Sequence, residues 1–378
     1  FKQKTAYEML RSLVGSEMCI RDSYSQAYKR SLRLKKILIR ADGSKEVGMG
    51  HLSRSCLIAN YFFDDKNIES VIIAYRNNAA ENFLTLKNKS AKIHYLDISS
   101  SIENEVESIN SIVKSEGVAV ILLDLLEVNL SKHYLGLLKK NLIPIAAITD
   151  DSDYREIDVD VILNGNPNQD RFDYAGVKGK YLVGPAFFIM DRRYADIKLT
   201  PSVLNKNIIL TFGGSDHNNL IFGVLEAVLD IPGIDNILII SSKSTGYIKQ
   251  LEAFTSEQSK NITICQDVES LVPYWDDCYL AITAGGNTLF ERIAAGVPGA
   301  TICQLSRQME IADKFEKNGL NKNLGFGPEL KKDEMKALIS SFMNDEQEHN
   351  RQREKCKKIV YGNGINLFAN ELCKLIGD

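Results

Sequence analysis

The feature that most constrains the fold is a series of short, continuous apolar runs that alternate with helical patterns. In the first half of the chain these runs are 37–39, 71–74, 118–123 and 145–148. Strands that are apolar on both faces are typical of a parallel sheet with helices on both sides. After the first run, Leu52, Cys56 and Ala59 follow the i, i+4, i+7 spacing of a helix that packs on such a sheet. We therefore expect a doubly wound parallel sheet.

A second series of the same kind follows after a break. Its apolar runs are 208–210, 237–240, 262–264, 280–282 and 300–302. Between Gly184-Pro185 and Asn207 the periodicity lapses, which is typical of a linker. We place the boundary near residue 200 and expect an N-terminal domain over 34–200 and a C-terminal domain over 201–378. The chain has 378 residues, of which 44% are hydrophobic, and this is enough for two cores.

The composition argues against several classes of function. The formal net charge is -3, so the chain has no bulk attraction for nucleic acid or an anionic membrane, and any phosphate must be bound locally. No apolar run approaches the roughly 20 residues of a spanning helix, so we expect no membrane segment. Seven cysteines without a C-x-x-C pair indicate reduced thiols in a cytoplasmic protein. Residues 1–33 match nothing downstream, and the stretch 11–23 resembles translated sequencing-adapter DNA, so we leave this tail out of the fold prediction.

The first motif that carries chemistry lies between the first predicted strand and the helix that contains Leu52. Gly48 and Gly50 permit a positive φ and a close backbone approach, so amide groups at the helix start could face an anion or a polar sugar. His51 would then sit at the mouth of a ligand cleft. A helix N-terminus disfavours imidazolium, which leaves a neutral ring available as a general base. The alternative is a glycine-rich turn whose histidine only caps the helix.

A second glycine motif follows the first strand of the second series. Gly213 and Gly214 with the hydroxyl of Ser215 could form a concave turn that binds a diphosphate. The alternative is a tight loop in which Ser215 or Asp216 caps the next helix.

The most specific local pattern begins at a third glycine pair, Gly285-Gly286. A helix is predicted to start near Asn287, and Gly296 lies where the glycine that follows a helix end belongs. Glu291 lies one helical turn beyond Asn287, so its carboxylate could accept hydrogen bonds from a ribose diol while the helix start faces phosphate. The alternative is that Glu291 is a solvated surface residue.

A weaker signal is the acidic cluster Asp150-Asp151-Ser152-Asp153 after the run 145–148. It could orient sugar hydroxyls, bind a divalent ion or form an ordinary turn. The remaining histidines show no spacing with cysteines or carboxylates that indicates a zinc site, so we expect neither a metal nor a cofactor. The sequence motifs of acyl hydrolases, P-loop nucleotidases and dinucleotide dehydrogenases are absent.

Several runs carry a resemblance to a known family: I-R-A-D-G-S-x-x-x-G-M-G-H-L-x-R-S, D-D, G-P-x-F-x-I-M-x-x-x-Y, T-F-G-G-S-D and T-A-G-G-N-T-L-F-E-R-I-A-A-G-V-P. From about residue 35 onward the chain resembles the UDP-sugar hydrolases of pseudaminic acid biosynthesis, relatives of the peptidoglycan N-acetylglucosaminyltransferase. The resemblance implies a GT-B fold, that is, an α/β protein of two Rossmann-like doubly wound domains with an interdomain cleft. It also implies that the C-terminal domain binds most of the nucleotide.

The resemblance further implies a reaction and a set of residues. In that family the histidine that matches His51 is catalytic, and water displaces UDP from a 2,4-diacetamido-2,4,6-trideoxyhexose with inversion and without a metal. The run from Gly285 to Glu291 matches the family's uridine-diphosphate loop. The expected partner is thus a UDP-sugar. The predicted substrate-binding residues are Arg40, Asp42, Gly48, Gly50, Asp124, Asp151, Gly213, Gly214, Ser215, Gly285, Gly286, Asn287, Thr288, Glu291 and Gln308.

Two positions depart from the family pattern, and both lie near the sugar. The chain has Asp124-Leu125-Leu126 where Asp-x-Tyr is expected, and Arg307-Gln308 where relatives carry Asn-Gln. The leading prediction is a nucleotide-sugar hydrolase that supplies a nonulosonic acid pathway for surface glycans. Two alternatives stay open, an inverting glycosyltransferase of the same fold with a UDP-sugar donor and a non-catalytic nucleotide-sugar-binding protein.

Overall fold

The computed structural model describes most of the chain beyond residue 34. The described residues are 35–44, 48–125, 131–150, 157–167, 179–197, 207–214, 216, 218–234, 236–359 and 361–377. Within them the chain forms two open sheets, and helices flank each sheet.

The first sheet has seven parallel strands. They are β1 (Lys36–Ala41), β2 (Ser70–Tyr75), β3 (Lys92–Leu96), β4 (Val118–Asp124), β5 (Ile145–Ile148), β6 (Val161–Asn164) and β7 (Lys180–Val183). Their order across the sheet is β3-β2-β1-β4-β5-β6-β7. The helices between them are α1 (Gly50–Lys66), α2 (Asn78–Lys87), α3 (Ile102–Glu116) and α4 (Lys132–Leu138).

The second sheet repeats this architecture with six parallel strands. They are β8 (Asn207–Thr211), β9 (Asn236–Ser241), β10 (Asn261–Gln266), β11 (Leu280–Thr283), β12 (Gly299–Cys303) and β13 (Lys322–Phe326), in the order β10-β9-β8-β11-β12-β13. The helices of this part are α5 (Leu220–Leu229), α6 (Ile248–Ser256), α7 (Val272–Trp275), α8 (Asn287–Ala294), α9 (Ser306–Lys317), α10 (Lys332–Met343), α11 (Glu346–Cys356) and α12 (Gly364–Ile376). Single 3-10 turns lie at Lys139–Asn141, Pro185–Phe187, Arg192–Ala195, Lys243–Thr245 and Gly327–Glu329.

The predicted strands are confirmed, because all nine apolar runs lie within strands of the structure. Leu52, Cys56 and Ala59 are buried against the first sheet, as their helical spacing indicated. The strands that the sequence did not reveal include β3, β7 and β13, which lie at sheet edges and are only partly buried. These three edge strands lack a continuous apolar run because they are less covered than the central strands. The central strand β6 was also missed, although it is buried, and the edge strand β10 was found from its run 262–264.

In each sheet the chain adds strands first toward one edge and then toward the other, and the point between the two central strands where this happens determines where a ligand can bind. In the first sheet the order reverses between β1 and β4, and in the second between β8 and β11. Ligands of doubly wound proteins bind beyond the carboxyl ends of the strands at such a switch point. The His51 motif follows β1, and Gly285-Gly286 follow β11, so both predicted motifs lie at switch points.

The last helix, α12, packs on the first sheet although it follows the second sheet in the chain. Ile365, Phe368 and Leu372 belong to the same core as strand β1 and helix α1. The sequence prediction assigned residues up to 378 to the C-terminal domain, whereas the side chains of α12 pack in the core of the first sheet. An amphipathic stripe shows that a helix face is buried, but it does not show which of two sheets buries it. The predicted boundary near residue 200 lies outside the described residues.

The linker that leads from the first sheet to the second packs against both domains. Phe188 stacks on Phe290 of α8 with ring centroids 3.7 Å apart and ring planes 7° apart. A Cβ built on Gly165, after β6, would lie 2.6 Å from Cα of Phe188. Further along, Trp275 donates a hydrogen bond from Nε1 to the hydroxyl of Tyr194 at 2.9 Å. The linker is thus a fixed packing element between the two sheets.

Two further structural properties concern the whole described chain. The six described cysteines are free thiols, and Cys56, Cys278, Cys303 and Cys356 are buried. Among the residues that the structure describes, no helix combines the length and the apolar character that a membrane crossing needs.

Candidate functional site

The first part of the candidate site is a histidine and a carboxylate at the switch point of the first sheet. His51 is the second residue of α1, and Asp124 is the last residue of β4. Nδ1 of His51 lies 2.7 Å from Oδ1 of Asp124. The His51 side chain keeps 14% of its surface exposed, whereas Asp124 is fully buried. Asp124 therefore fixes the imidazole through Nδ1, and Nε2 lies on the opposite side of the ring from Asp124.

Arg54 completes this arrangement, and the sequence prediction did not include it. Its Nε donates to Oδ2 of Asp124 at 2.8 Å, and its Nη2 donates to Oδ1 at 2.6 Å. It also bonds both carboxylate oxygens of Asp150, at 3.0 and 3.2 Å. Arg54 lies three residues after His51 on α1, so the two side chains share a helix face. This three-residue spacing could have indicated from the sequence alone that Arg54 lies beside His51.

The charges of this group are coupled through Asp124. Burial alone would raise the pKa of Asp124, but the charge of Arg54 and the hydrogen bonds from Arg54 and His51 outweigh it and lower the pKa. Burial works against the charged form of Arg54 as well, yet Asp124 and Asp150 raise the pKa of Arg54. Both groups are therefore ionised, and they form a charged pair beneath the imidazole.

Asp150 and Asn166 extend the same edge of the sheet. Asp150 follows β5 and its side chain is about half exposed. Its backbone carbonyl accepts a hydrogen bond at 2.6 Å from the side-chain nitrogen Nδ2 of Asn166, which follows β6. The structure thus brings Asp150 to the His51 group. Asp151, the neighbour that the sequence singled out, lies outside the described residues.

Arg40 and Asp42 lie beneath the loop between β1 and α1. The Arg40 guanidinium is buried and pairs with Glu105 at 2.9 Å and with Asp42 at 2.6 Å. Oδ1 of Asp42 also accepts a hydrogen bond from the backbone of Tyr75 at 2.9 Å. The carboxylates of Asp42 and Glu105 raise the pKa of Arg40 despite its burial. Arg40 points into the domain and supports the loop, so its side chain presents no open edge to a substrate.

The loop itself has the backbone geometry that its glycines suggested. Gly48 has a φ of 87°, which an L-residue rarely adopts, and it forms an antiparallel bridge with Ser44. Gly50 is the first residue of α1. Met49, before it, makes no side-chain cap, so the first amide groups of α1 have no capping side chain.

The second part of the site is the turn after β11. Gly285 needs to be glycine, because a Cβ at this position would lie 2.8 Å from Cβ of Gln308 and 3.1 Å from Sγ of Cys303. Gly286 precedes α8 and makes no side-chain cap. The amide groups of Asn287 and Thr288 thus begin an uncapped helix, a suitable anion site. The predicted helix start near Asn287 is confirmed.

Gln308 packs against this turn. Its Oε1 accepts a hydrogen bond from the backbone nitrogen of Gln304 at 2.8 Å and so closes the start of α9. A Cβ on Gly286 would lie 3.6 Å from Nε2 of Gln308. The structure therefore brings Gln308 together with Gly285 and Gly286, with the amide nitrogen toward the turn.

Glu291 lies on α8 one turn after Asn287, and its surroundings are those of a buried group. The side chain is only partly exposed. Burial, with a smaller contribution from the carboxylate of Asp191, raises the pKa of Glu291 to about 8. Glu291 is thus partly covered, and its surroundings disfavour the charged form of the carboxyl group. Among the described residues no hydrogen bond contributes to the shift.

The turn after β8 combines a glycine pair with an aspartate that caps the next helix. Gly213 has a φ of 74°, consistent with the predicted concave turn, and Gly214 follows it. Asp216 is buried, and its carboxylate accepts hydrogen bonds from the backbone nitrogens of Leu220 and Ile221 at 3.0 Å each. The predicted alternative of a capping Asp216 is therefore confirmed. Ser215 lies outside the described residues.

The described residues contain no group of three or more His, Cys, Asp or Glu side chains that could hold a metal ion. The polar groups at the two switch points are instead a histidine–carboxylate pair, glycine turns and helix starts. Such groups can accept a proton and bind an anion.

Comparisons of the sequence with known proteins give distant relatives. No protein-family model matches the chain. The chain is 28% identical over 291 residues to an uncharacterized protein of Methanocaldococcus jannaschii, covering 75% of this chain and 58% of that protein. It therefore spans less than two thirds of that relative. It is 26% identical to the spore coat polysaccharide biosynthesis protein SpsG of Bacillus subtilis, covering 80% of this chain and 89% of SpsG. It is 21% identical to the UDP-2,4-diacetamido-2,4,6-trideoxy-beta-L-altropyranose hydrolase of Campylobacter jejuni, covering 75% and 97%.

Solved structures with the same fold confirm the predicted architecture. MurG of Acinetobacter baumannii superposes with a TM-score of 0.65 at 15% identity, covering 90% of this chain and 99% of MurG. MnaA of S. aureus, solved with UDP, superposes with a TM-score of 0.59 at 12% identity, covering 89% and 96%. The chain has the GT-B fold, with two Rossmann-like parallel-sheet domains.

Proposed function

We propose that this protein hydrolyses a UDP-linked 2,4-diacetamido-2,4,6-trideoxyhexose to the free sugar and UDP. The relatives support an enzyme that acts on nucleotide sugars in polysaccharide biosynthesis, since they include SpsG and the Campylobacter jejuni UDP-sugar hydrolase. The observation that carries the proposal is the pair of His51 and Asp124 at the switch point of the first sheet.

The His51–Asp124 pair supports a base at the sugar end of the substrate. An ionised carboxylate only accepts hydrogen bonds, so a neutral His51 bonded to Asp124 carries its proton on Nδ1. Nε2 then has a free lone pair and can take a proton from water. The same division of roles between the two ring nitrogens is used wherever a carboxylate orients a histidine base.

The turn after β11 supports a diphosphate site in the other domain. The uncapped start of α8 offers amide groups to an anion, and Glu291 offers a carboxylate one turn further along. In this proposal the helix start holds the diphosphate of UDP and Glu291 accepts hydrogen bonds from the ribose hydroxyls. The positive end of α8 also stabilises the charge that UDP carries when it departs.

The reaction then proceeds in one displacement. Water attacks the anomeric carbon while the bond from that carbon to the terminal phosphate oxygen of UDP breaks. The proton of the attacking water goes to Nε2 of His51, and the electron pair of the broken bond stays on UDP. Attack from the face opposite UDP inverts the anomeric configuration.

The test is UDP release from a panel of UDP-linked 2,4-diacetamido sugars, with and without an added alcohol acceptor. We expect release in water alone, and a loss of about 100-fold or more in kcat for His51→Ala, because general base catalysis contributes on the order of 10²–10⁴-fold. His133→Gln is the matched control, since His133 is exposed on α4 and pairs only with Glu103 among the described contacts. It should keep wild-type activity.

The other outcomes have definite meanings. Release that requires the alcohol would assign glycosyl transfer in place of hydrolysis. Binding of every UDP-sugar without turnover would assign a nucleotide-sugar-binding protein. Unchanged turnover in His51→Ala would remove the proposed base.

A further inference from the structure

We propose that Arg54 is a positioning residue for His51. Its guanidinium neutralises the Asp124 carboxylate and fixes its plane, and through it fixes the direction of the hydrogen bond at Nδ1 of His51. This inference rests on the proposed function for its kinetic test, but it also concerns the imidazole alone and can be tested without turnover.

The geometry of the Arg54–Asp124 pair prevents rotation of the carboxylate. Arg54 donates to both oxygens, Nε to Oδ2 at 2.8 Å and Nη2 to Oδ1 at 2.6 Å. Two parallel bonds of this kind fix both position and plane. Nδ1 of His51 lies 2.7 Å from the same Oδ1, so the plane that Arg54 sets also sets the direction of the histidine bond. Nη2 of Arg54 also lies 3.4 Å from Nδ1 of His51 itself, so Arg54 acts on the imidazole both through Asp124 and by direct contact.

The charge of Arg54 matters as much as its geometry. Asp124 is fully buried, and a buried carboxylate requires a cationic partner. Arg54 is permanently charged and supplies this partner from the next turn of α1. If Arg54 were absent, His51 would be the remaining described partner of Asp124, and its one hydrogen bond would not hold the buried carboxylate in this plane.

Asp150 holds the other edge of the guanidinium. It accepts bonds from Nη1 at 3.0 Å and Nη2 at 3.2 Å, and it lies at the end of the neighbouring strand β5. The described groups around His51 are thus Asp124 from β4, Arg54 from α1 and Asp150 after β5, together with the first amide groups of α1. A lysine at position 54 would bring a charge but only a point contact, so it could not bond both carboxylates in this planar manner.

The first experiment measures the kinetics of Arg54→Met and Arg54→Lys. We expect Arg54→Met to lower kcat by about 10- to 100-fold, the usual cost of removing a partner that orients a reactive group, with KM changed by less than about threefold. Arg54→Lys should recover part of the loss. Arg351→Met is the control, because Arg351 is exposed on α11 and belongs to no part of the site.

The double variant separates positioning from a general structural effect. If Arg54 acts through His51, then His51→Ala with Arg54→Met should be no slower than His51→Ala alone. A further loss of tenfold or more in the double variant would overturn the proposal.

The second experiment does not depend on turnover. The chain has five histidines, and ¹⁵N labelling with His51→Ala as the reference assigns the ring nitrogens of His51. We expect the neutral ring of the wild type to be one tautomer, with the proton on Nδ1, and that of Arg54→Met to be a mixture of tautomers. Identical spectra would refute the role of Arg54, whatever the activity. Conversely, a changed spectrum with full activity in His51→Ala would refute the proposed function and leave the role of Arg54 standing.

Discussion

Glu291→Gln removes one ionisable group from the C-terminal domain and leaves the size of the side chain almost unchanged. In the folded protein the pKa of Glu291 is raised from 4.5 to about 8, mainly by burial. The folded state therefore holds this proton more tightly than the unfolded chain. Below about pH 4.5 the Glu291 carboxyl is neutral in the folded and in the unfolded state, so it does not lower the free energy of unfolding. As the pH rises from 4.5 to 8, the stability of the wild type falls by up to about 1.4 kcal/mol per pH unit.

The total cost follows from the width of this window. A shift of about 3.5 pH units corresponds to at most about 5 kcal/mol, and relaxation of the site will reduce that figure. Glutamine has no proton to lose, so Glu291→Gln should match the wild type near pH 4.5 and exceed it by several kcal/mol at pH 8 and above. At pH 8 and above, where the wild-type carboxyl is ionised, Gln replaces a charged acceptor, so the same variant should bind UDP about tenfold or more weakly.

The assay is urea unfolding followed by tryptophan fluorescence over pH 5–9. Trp275 is the single tryptophan, and it is fully buried beside the second sheet, so its fluorescence reports the unfolding of the domain that contains Glu291. The control is Glu107→Gln, an exposed position on α3 where such a change alters stability by less than about 0.5 kcal/mol. A stability difference between wild type and Glu291→Gln that stays constant across this pH range would refute the reasoning.

Three other predictions concern the turn after β11, the linker and the start of α5. Gly285→Ala should weaken UDP binding at least tenfold by calorimetry, because its Cβ would lie 2.8 Å from Gln308. In Gly286→Ala the Cβ would lie 3.6 Å from the same side chain, so this variant should fold normally. Phe188→Ala should lower the free energy of unfolding by about 3–5 kcal/mol in urea titrations, since it empties a buried site stacked on α8, and a loss below 1 kcal/mol would contradict this packing. Asp216→Ala should cost about 1–2 kcal/mol by the same measurement, because it removes the cap of α5, and an unchanged midpoint would exclude that capping role.

The parts of the fold that could be predicted are those whose burial requires a continuous run of apolar residues. Most central strands are buried on both faces, so their apolar runs were visible, whereas the edge strands β3, β7 and β13 were not. Two strands break this division: the edge strand β10 was predicted from its run 262–264, and the buried central strand β6, only four residues long, was missed. The position of α12 depends on which of two similar sheets accepts its apolar face, and no local pattern contains that choice.

The site followed a similar division. The glycine turns were predictable because a positive φ at Gly48 and a close contact at Gly285 each require glycine. The role of Arg40 was not, because a charged residue in a motif is interpreted as a ligand contact until its partners are known, and Arg54 was missed although it lies three residues after His51. Arg40 is occupied by Glu105 and Asp42, and Arg54 by Asp124 and Asp150, all distant from them in sequence except Asp42.

The return of α12 to the first sheet has a consequence for synthesis on the ribosome. The helix contributes Phe368 and Leu372 to the first core, but it is translated only after the whole second domain. The N-terminal domain therefore emerges with an uncovered apolar face and must wait for more than 150 further residues before that face is closed. During that interval the nascent chain presents the kind of surface that chaperones bind, and premature termination before Gly364 would leave it permanently open.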